Sequence, residues 1–484
     1  MRAERSSWME FLFTAALILA AFSPLAVSCA TTVLRLERTP VPLNSSAGVE
    51  KISAQDRARH ARLFSGVANF SVYGSADCEL YGIYYTKVKL GSPPQEFSLQ
   101  IDTGSDLLWV SAKTCGNCPR SSSFRIELRF YDAAASSTAK VVPCSNKACP
   151  TRCTENGECS YKINYEDHSE TDGYYVVDRI YLDSIQPDST IATSSAPIVF
   201  GASTYQSGEL GDSALAVDGM FGLGHGPLSP ISQLSSEGVI PRVFSHCLKG
   251  EGLGGGTFVL GEISEPGMVY TPLVPAQPHY NLDLQSIAVN GELLPVDSSV
   301  FTTSTGRGTF IDSGTTLAYL VEEAYEPFIS AVTAVVSPSA TPILSEGQQC
   351  YSVTSSVSQV FPAVSFNFAN SASLLLKPAD YLHQSVMDVG GIWCIGFLKK
   401  PGVTILGDLV LKDKIVVYDL VHQQIGWTYY DCLKAVNVSA PKQRSSSASS
   451  SDMLLTSLPL AIIILSLQIF SVIVDQVNVI SVLS

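Results

Sequence analysis

The sequence has few basic residues and few charges of either sign. Its 484 residues include 30 Lys and Arg against 44 Asp and Glu, a formal net charge of −14, and only 15% of the chain is charged. An acidic chain has little attraction for phosphate backbones, which argues against a nucleic-acid partner. Helical patterns are also scarce, whereas Ser, Thr, Gly and alternating apolar stretches abound, so the sequence predicts a mostly β protein.

Two kinds of chemistry lack their residue patterns. His225, His246 and His279 lie in separate stretches without metal-ligand spacing. We interpret them as surface or turn residues rather than zinc ligands or members of a Ser-His-Asp triad. The Gly-rich stretch from Asp218 to Pro230 has neither the Lys nor the spacing of a phosphate loop, and it indicates a tight turn before a short helix. We therefore predict no metal and no cofactor.

An acidic residue interrupts an apolar run at two places. "LQIDTGSDLLWV" carries Asp102, and "TFIDSGTTLAYL" carries Asp312, 210 residues later. Burying a lone carboxylate is costly unless hydrogen bonds or a pKa shift compensate, so one such stretch could be a simple turn. Two copies in matching contexts instead predict two similar halves, each with one carboxylate. Facing acids of this kind share a proton and divide the roles of acid and base.

The N-terminal residues have the pattern of a secretory signal. Two arginines precede the apolar segment Phe11–Ala21, so residues 1–30 are predicted to be a signal peptide. A membrane anchor is disfavoured because the apolar run is short for a span. Residues 31–78 carry six Lys and Arg against four Asp and Glu, whereas residues 79–484 carry 22 against 38. This basic leader is predicted to be a pro-segment that covers an anionic cleft; a disordered leader without that role is the alternative.

Twelve cysteines in a secreted chain predict disulfide bonds. Loss of Cys29 with the signal leaves an odd number, and Cys78, which lies apart from the rest, is the predicted unpaired residue. Cys115 and Cys118 are predicted to bond to each other. Four further cysteines indicate a cross-linked surface loop of open connectivity: Cys144, Cys149, Cys153 and Cys159. Three glycosylation sequons begin at Asn44, Asn69 and Asn437.

The C-terminal tail combines a polar stretch with a hydrophobic one. Residues 436–452 are Ser-rich, and Met453–Val474 gives 22 residues without a charge, enough to cross a bilayer. No Lys or Arg follows Arg444, whereas a permanent span would keep basic residues on its cytoplasmic side. The pattern fits a signal for a glycosylphosphatidylinositol anchor attached between Ser439 and Ser451. We predict an enzyme on the outer face of the plasma membrane or outside the cell; a transmembrane span is the alternative.

Six stretches resemble the pepsin-like aspartic proteases, most closely the plant nepenthesin-like group. They are "IDTGSDLLWV", "FIDSGTTLAYL", "DGMFGLGHGPLS", "FSHCL", "WCIGF" and "TILGDLVLKDKIVVYDL", and the resemblance extends from about Leu80 to Leu433. It implies a mostly β, bilobal pepsin-like fold with a few short helices and one catalytic loop per lobe. The implied division is a signal peptide (1–30), a pro-segment (31–78), an N-terminal lobe (79–270), a C-terminal lobe (271–435), and a polar linker with a hydrophobic anchor signal (436–484).

The resemblance implies an aspartic endopeptidase, monomeric and without cofactor, that acts on polypeptides. Asp102 and Asp312 would hold between them a water that attacks the peptide carbonyl. In each loop, the glycine would admit backbone N–H groups to the carboxylate and a hydroxyl would bond its outer oxygen. The residue after each acid would bond across the lobes. These supporting residues are Thr103, Gly104, Ser105, Ser313, Gly314 and Thr315.

A third element of the family is a flap over the cleft. In "YKINYEDHSETDGYY", Tyr165 matches the flap tyrosine, and Trp109 matches the partner of its hydroxyl. The family usually has Tyr-Gly-Asp-Gly-Ser, but Glu166 and His168 replace both glycines here, which predicts a stiffer tip or a different turn. Ala112 stands where relatives commonly have cysteine, so the disulfide pattern of the first lobe is expected to differ.

Two other functions compete with the enzyme. A catalytically silent relative that binds glycosidases or glycans would typically have lost a catalytic Asp or scrambled its loop, and both loops are intact here. A retroviral-type half-enzyme would carry one acid and dimerise, whereas this chain carries two. The sequence therefore favours an active aspartic endopeptidase.

Overall fold

The computed structural model describes residues 31–37 and 82–439 of the chain. Residue 437 and a few short internal stretches fall outside this description, namely 124–125, 147–148, 150–151, 186–190, 215, 251–254, 346 and 386–390. Strands make up most of the secondary structure in the described ranges, and the helices are mostly short. The mostly β architecture predicted from the sequence is confirmed.

The strands and helices are numbered in chain order. The first half contains β1 (Thr31–Glu37), β2 (Tyr85–Leu90), β3 (Gln95–Asp102), β4 (Leu108–Ser111), β5 (Lys140–Val141), β6 (Arg152–Cys153), β7 (Cys159–Asn164), β8 (Glu170–Ile185), β9 (Ile191–Ser207), β10 (Gly219–Gly222), α1 (Pro230–Ser236), β11 (Val243–Leu248), β12 (Gly256–Leu260), β13 (Glu262–Ile263) and β14 (Val269–Pro272).

The second half contains β15 (Asn281–Leu282), β16 (Leu284–Val289), β17 (Glu292–Leu293), β18 (Gly308–Ile311), β19 (Ala318–Val321), α2 (Glu322–Val336), β20 (Thr341–Ser345), β21 (Gln348–Ser352), α3 (Val357–Val360), β22 (Val364–Phe368), β23 (Ser373–Leu376), β24 (Leu382–Gln384), β25 (Ile392–Ile395), β26 (Phe397–Lys400), β27 (Val403–Leu406), α4 (Asp408–Leu411), β28 (Lys414–Asp419), β29 (Gln424–Tyr429) and β30 (Val438–Ser439). Short 3₁₀ turns occur at Ala133–Ala135, Gly208–Gly211, Ser298–Phe301, Ala369–Ser371 and Pro378–Asp380.

The largest sheet joins strands from both halves. Its order is β14-β29-β28-β11-β12-β1-β2-β3-β10-β4-β9-β8-β7-β6, with β5 paired to β8. At the junction, β11 of the first half pairs antiparallel with β28 of the second, so that Val243 lies opposite Asp419. The smaller sheets have the orders β15-β18-β27-β19-β26, β17-β16-β22-β23, β20-β21-β25-β24 and β13-β30. The shared sheet therefore connects the two halves through backbone hydrogen bonds.

The same three-strand unit surrounds each predicted catalytic acid. In the first half, β3 pairs parallel with β10, which is antiparallel to β4, and Asp102 lies opposite Gly222. In the second half, β18 pairs parallel with β27, which is antiparallel to β19, and Ile311 lies opposite Leu406. The apolar residues before both acids are buried, as expected for strands inside a parallel pair. The repeated sequence pattern thus corresponds to a repeated topology.

Several local elements predicted from the sequence are confirmed. The hairpin predicted around Asn290 and Gly291 is formed by β16 and β17, and these turn residues have positive φ values of 53° and 85°. Asn and Gly tolerate this conformation best. The predicted helix after the second acid is α2, in which every fourth residue is buried against the core: Ala324, Phe328, Val332 and Val336. The short helix predicted after the Gly-rich turn is α1.

Five disulfide bonds link the described strands and loops. Cys115 bonds to Cys118, as predicted. The connectivity that the sequence left open in the surface loop is Cys144–Cys153 and Cys149–Cys159. The other two bonds are Cys247–Cys432 and Cys350–Cys394.

Part of the predicted pro-segment is a strand of the main sheet. β1 pairs antiparallel with β12, β2 and β8. The rest of that segment lies outside the described residues, as do Cys78, the three sequons, the signal peptide and the hydrophobic tail. No helix in the described ranges is long and apolar enough to cross a membrane.

Candidate active site

Asp102 ends β3, and its carboxylate receives hydrogen bonds from its own loop. The Gly104 N–H donates to Oδ1 at 2.8 Å, and the Ser105 hydroxyl donates a short bond to Oδ2. Asp102 is only 5% exposed. A carboxylate this deeply buried needs such donors, because they replace the water that folding removes.

Asp312 follows β18 and is bonded in the same pattern. The Gly314 N–H donates to Oδ1 at 2.8 Å, and the Thr315 hydroxyl donates to Oδ2 at 2.6 Å. The two loops therefore use the same donor positions on the same carboxylate oxygens. The Asp-x-Gly-Ser/Thr pattern, which occurs twice in the sequence, forms the same local geometry at both places.

The two loops contact each other through the residue that follows each acid. The Ser313 N–H donates to the Thr103 hydroxyl at 2.9 Å, and the Ser313 hydroxyl donates to the Ile101 carbonyl at 3.4 Å. Thr103 and Ser313 are each 1% exposed. The shorter of these bonds, from the Ser313 N–H to Thr103, is strengthened by the dry interior and holds the two loops side by side.

Each loop glycine also makes room for the acid of the opposite loop. A side-chain carbon added at Gly104 would lie 2.7 Å from Oδ2 of Asp312, and one added at Gly314 would overlap Oδ1 of Asp102. Any larger residue would therefore force the two acids apart. Sequence reasoning assigned these glycines only to the approach of backbone N–H groups, and the structure adds this second reason.

The two carboxyl groups are coupled electrostatically. Burial, and then the charge of Asp312, raise the pKa of Asp102 to about 7, while the bonds from Ser105 and Gly104 act in the opposite direction. A carboxyl group with so high a pKa remains protonated in the acidic range. The pair can therefore keep one proton between its members under acidic conditions.

The hairpin of β7 and β8 carries the predicted flap tyrosine. The Tyr165 hydroxyl accepts a hydrogen bond from Nε1–H of Trp109 at 2.8 Å, and Trp109 is 2% exposed. Burial raises the pKa of Tyr165 well above its usual value, and the nearby charge of Asp102 raises it further. The structure thus brings the predicted tyrosine and tryptophan together, close to the first acid.

The tip of this hairpin forms a tight turn without glycine. The Tyr165 N–H donates to the Ser169 carbonyl at 2.8 Å, and the His168 N–H donates to the Tyr165 carbonyl at 3.0 Å. His168 has a φ of 67°, in the left-handed region that favours glycine. The Asp167 carboxylate accepts from the Ser169 N–H and hydroxyl at 2.9 and 2.7 Å. These bonds join Asp167 and Ser169, which the family pattern shares, so the turn keeps them although both glycines are replaced.

A third buried carboxyl group lies beside the pair, and sequence reasoning missed it. Asp408 begins α4, directly after β27, and is 5% exposed. Burial raises its pKa well above the ordinary value, and the charges of Asp312 and Asp102 add to that effect. Its Oδ1 atom has no hydrogen-bond partner among the described residues. The stretch "TILGDLVL" contained the signal, because it too has an acid inside an apolar run.

The interpretation of the histidines as surface or turn residues is wrong for His246. It lies within β11, is fully buried, and its Nε2 is 3.2 Å from the Tyr418 hydroxyl. Burial lowers the pKa of His246 to about 3, so its ring is neutral in weak acid. His225 and His279 are half-buried in irregular segments. Within the described ranges, no three His, Cys, Asp or Glu residues are grouped to hold a metal ion.

Comparisons with known proteins place this chain in a family. The model described as "Xylanase inhibitor N-terminal" matches residues 84–262, and "Xylanase inhibitor C-terminal" matches residues 279–429. Aspartic proteinase 36 of Arabidopsis thaliana is 38% identical over 409 residues, which cover 81% of this chain and 83% of that protein. Aspartic proteinase nepenthesin-2 of Nepenthes gracilis is 31% identical over 378 residues, covering 72% and 78%. The chain belongs to the plant pepsin-like aspartic protease family.

A solved structure titled "Crystal structure of edgp" has a similar fold. It matches with a TM-score of 0.61 at 17% identity, over 83% of this chain and 95% of that one. At this identity the likeness concerns the fold alone. It confirms the predicted fold class: mostly β, bilobal and pepsin-like, with a few short helices.

Proposed function

We propose that this protein is an active aspartic endopeptidase that hydrolyses peptide bonds at acid pH. The observation that carries the proposal is the pair of carboxyl groups of Asp102 and Asp312, each held in a complete loop. Burial and the charge of its partner raise the pKa of Asp102 to about 7. One proton shared by the two groups supplies an acid and a base in the same pH range.

The reaction needs only these two groups and water. The ionised carboxylate removes a proton from the water as the water oxygen attacks the peptide carbonyl carbon. The neutral carboxyl group donates its proton to the carbonyl oxygen, which gives a tetrahedral intermediate. When the C–N bond breaks, one hydroxyl of the intermediate loses a proton and the amine nitrogen gains one. The pair thereby returns to its starting state with a single proton.

The hairpin that carries Tyr165 would cover the bound peptide. Closure over the substrate excludes bulk water and fixes the scissile bond against the carboxyl pair. The hydrogen bond from Trp109 holds the Tyr165 ring near Asp102 and so supports this role.

A hydrolysis assay tests the proposal directly. The protein is brought to acid pH and incubated with a denatured protein, with and without a statine-type mimic of the tetrahedral intermediate. We expect fragments that the inhibitor abolishes, and no fragments from Asp102→Asn run in parallel. Intact substrate in every reaction, from protein that remains folded, would refute the endopeptidase.

The alternative function is a catalytically silent protein that binds glycosidases or glycans. The description of the matching family models as xylanase inhibitor domains is what favours it. A pull-down with a xylanase, in the presence and absence of the statine-type mimic, distinguishes the two functions. Stable capture of the xylanase without hydrolysis of any protein would support the silent protein.

We also propose that the enzyme is a secreted zymogen and a monomer, held at the cell surface by a glycolipid. Support comes from the sequence patterns of residues 1–30 and 436–484 and from the basic charge of residues 31–78. Intact cells treated with a phosphatidylinositol-specific phospholipase should release the protease into the medium. Retention on the membrane of a chain that still contains Met453–Val474 would instead identify a transmembrane span.

A further inference from the structure

An ion pair joins the tip of the β7–β8 hairpin to the second half of the chain. Nζ of Lys400 lies 3.0 Å from Oε2 of Glu166, and the two residues are 234 positions apart. Glu166 stands at one of the positions where glycine is usual in the family. The ion pair therefore depends on a residue in which this chain departs from the common pattern.

Lys400 is the better fixed of the two partners. It ends β26, which pairs with β19, and its ammonium group lies 5.2 Å from the centre of the Tyr319 ring. The Lys400 side chain is 24% exposed, whereas the Glu166 side chain is 84% exposed. The lysine is thus partly desolvated on a strand, and the glutamate reaches it from an exposed turn.

The ion pair lies beside the route to the two carboxyl groups. Tyr165, next to Glu166, is close enough to Asp102 for the charge of that acid to raise its pKa. On the other side, Lys400 lies opposite Val321, the last residue of β19, which is the strand that follows the loop of Asp312. A polypeptide bound under this hairpin would therefore pass beside Glu166 and beside its partner Lys400.

We propose that Glu166 and Lys400 form a latch across the substrate cleft, and that Lys400 selects substrates with an acidic side chain at the subsite beside it. This inference rests on the proposed peptidase function. A bound peptide separates the two charges. Glu166, being exposed, is then solvated by water, but Lys400, whose side chain is only 24% exposed, loses its counter-charge. A carboxylate on the substrate restores that partner, whereas a neutral side chain does not.

Paired peptides measure this selectivity. Each pair differs only by Glu or Gln at one position near the scissile bond, and hydrolysis is assayed at about pH 5, where an ordinary carboxyl group on the substrate is largely ionised. At one position we expect the Glu peptide to be cleaved with a kcat/KM roughly five-fold higher than the Gln peptide. Lys400→Met should bring this ratio to about one, and Lys400→Arg should retain most of it.

Two further variants separate the latch from a general loss of positive charge. Lys399→Met removes the neighbouring lysine, whose Nζ lies 2.9 Å from Oε1 of Glu326, and should leave the Glu/Gln ratio unchanged. Glu166→Gln should raise kcat/KM for both peptides by a similar factor, because the latch no longer has to open. The Glu/Gln ratio should stay at its wild-type value in that variant.

The outcomes separate the latch from the peptidase itself. If no position shows a preference for Glu, or if Lys400→Met keeps the wild-type ratio while cleaving both peptides, the latch is refuted and the peptidase stands. A folded wild-type protein that cleaves none of the peptides and no denatured protein refutes both.

Discussion

At matching positions behind the loops of Asp102 and Asp312, the first half has Leu223 and the second half has Asp408. The register of the two parallel strand pairs makes these positions equivalent. Both are buried, but only one can carry a charge. The two halves therefore hold Asp102 and Asp312 with the same hydrogen bonds but place different charges around them. A duplicated geometry does not imply a duplicated environment.

A second difference concerns an ion pair in the core. In the second half, Nζ of Lys414 lies 2.8 Å from Oδ1 of Asp380, with side-chain exposures of 1% and 5%, and the Tyr429 hydroxyl donates to the other carboxylate oxygen at 2.5 Å. Among the described residues of the first half, no ion pair is buried to this degree. A buried ion pair is thus found in the half that also holds Asp408.

The strongest test of the likeness between the loops removes one acid at a time. Asp102→Asn and Asp312→Asn should each lower the rate of peptide hydrolysis by at least about 10³-fold. The single acid that remains in each variant cannot donate one proton and accept another in the same step. Circular dichroism and thermal unfolding should show intact folds. Substantial activity in one purified variant alone would mean that the halves are unequal in chemistry as well as in surroundings.

Removal of the buried ion pair between Lys414 and Asp380 should have the next largest effect. Lys414→Met leaves the carboxylate of Asp380 buried without its counter-charge, and we expect the free energy of unfolding to fall by about 3 kcal/mol. Urea unfolding followed by intrinsic fluorescence measures the change. The matched variant Lys399→Met removes an exposed lysine and should have a far smaller effect. Equal effects of the two variants would show that burial of the pair in the second half is not important for stability.

The pH dependence of stability tests the carboxyl groups whose pKa is raised in the folded protein. Burial raises the pKa of Asp102 to about 7 and that of Asp218 to about 6, and it raises the pKa of Asp408 well above the ordinary value. In the unfolded chain these groups ionise near about pH 4. Their contribution to the free energy of unfolding is fully present below that pH. It is lost as the pH rises through the pKa values of the folded protein. Unfolding should therefore become easier from about pH 4 to about pH 7, by up to about 1.4 kcal/mol per pH unit for each group.

Single variants show which residues cause this fall in the free energy of unfolding with pH. Asp102→Asn and Asp408→Asn should each flatten the fall in unfolding free energy, as measured by melting temperature across a pH series. Asp297→Asn is the control, because hydrogen bonds to Ser299 lower the pKa of Asp297 rather than raise it. A slope unchanged in both test variants would contradict the assignment.

The smallest predicted effect concerns one donor in the first loop. The Ser105 hydroxyl lowers the pKa of Asp102, so Ser105→Ala should raise that pKa further. The alkaline limb of the pH–rate profile should then move to higher pH, by about one unit or less. Ser105→Thr keeps the hydroxyl and should restore the wild-type limb. A limb that moves to lower pH in Ser105→Ala would contradict this account.

Local patterns in the sequence predicted much of the fold and the central pair of the site. The loops of Asp102 and Asp312, the Asn290-Gly291 hairpin and the helix α2 each depend on residues close together in sequence, where periodicity and turn chemistry are informative. Catalytic roles for the site residues remain predictions. What the structure adds to them is the contact between the loops and the room that each glycine leaves for the opposite acid.

The features that sequence reasoning missed depend on distant pairings. Asp408 comes near Asp312 because β27 pairs with β18, about a hundred residues earlier. The contact of Glu166 with Lys400 spans 234 positions. The burial of His246 follows from the pairing of β11 with β12 and β28 on either side, which its own stretch does not reveal. Composition and local pattern carry no information about such partners.

The disulfide between Cys247 and Cys432 makes most of the second half a covalent ring attached to the first. It closes a segment of 185 residues that includes Asp312. Because a cross-link of this length lowers the entropy of the unfolded chain, it stabilises the fold by about 5 kcal/mol on a chain-entropy estimate. The peptidase proposed above would be exposed to cleavage by its own copies. A single cut at an exposed turn inside the ring would release no fragment, since both pieces stay joined through sulfur and through the β11–β28 backbone pairing. The product would be a two-chain molecule with both aspartates still face to face.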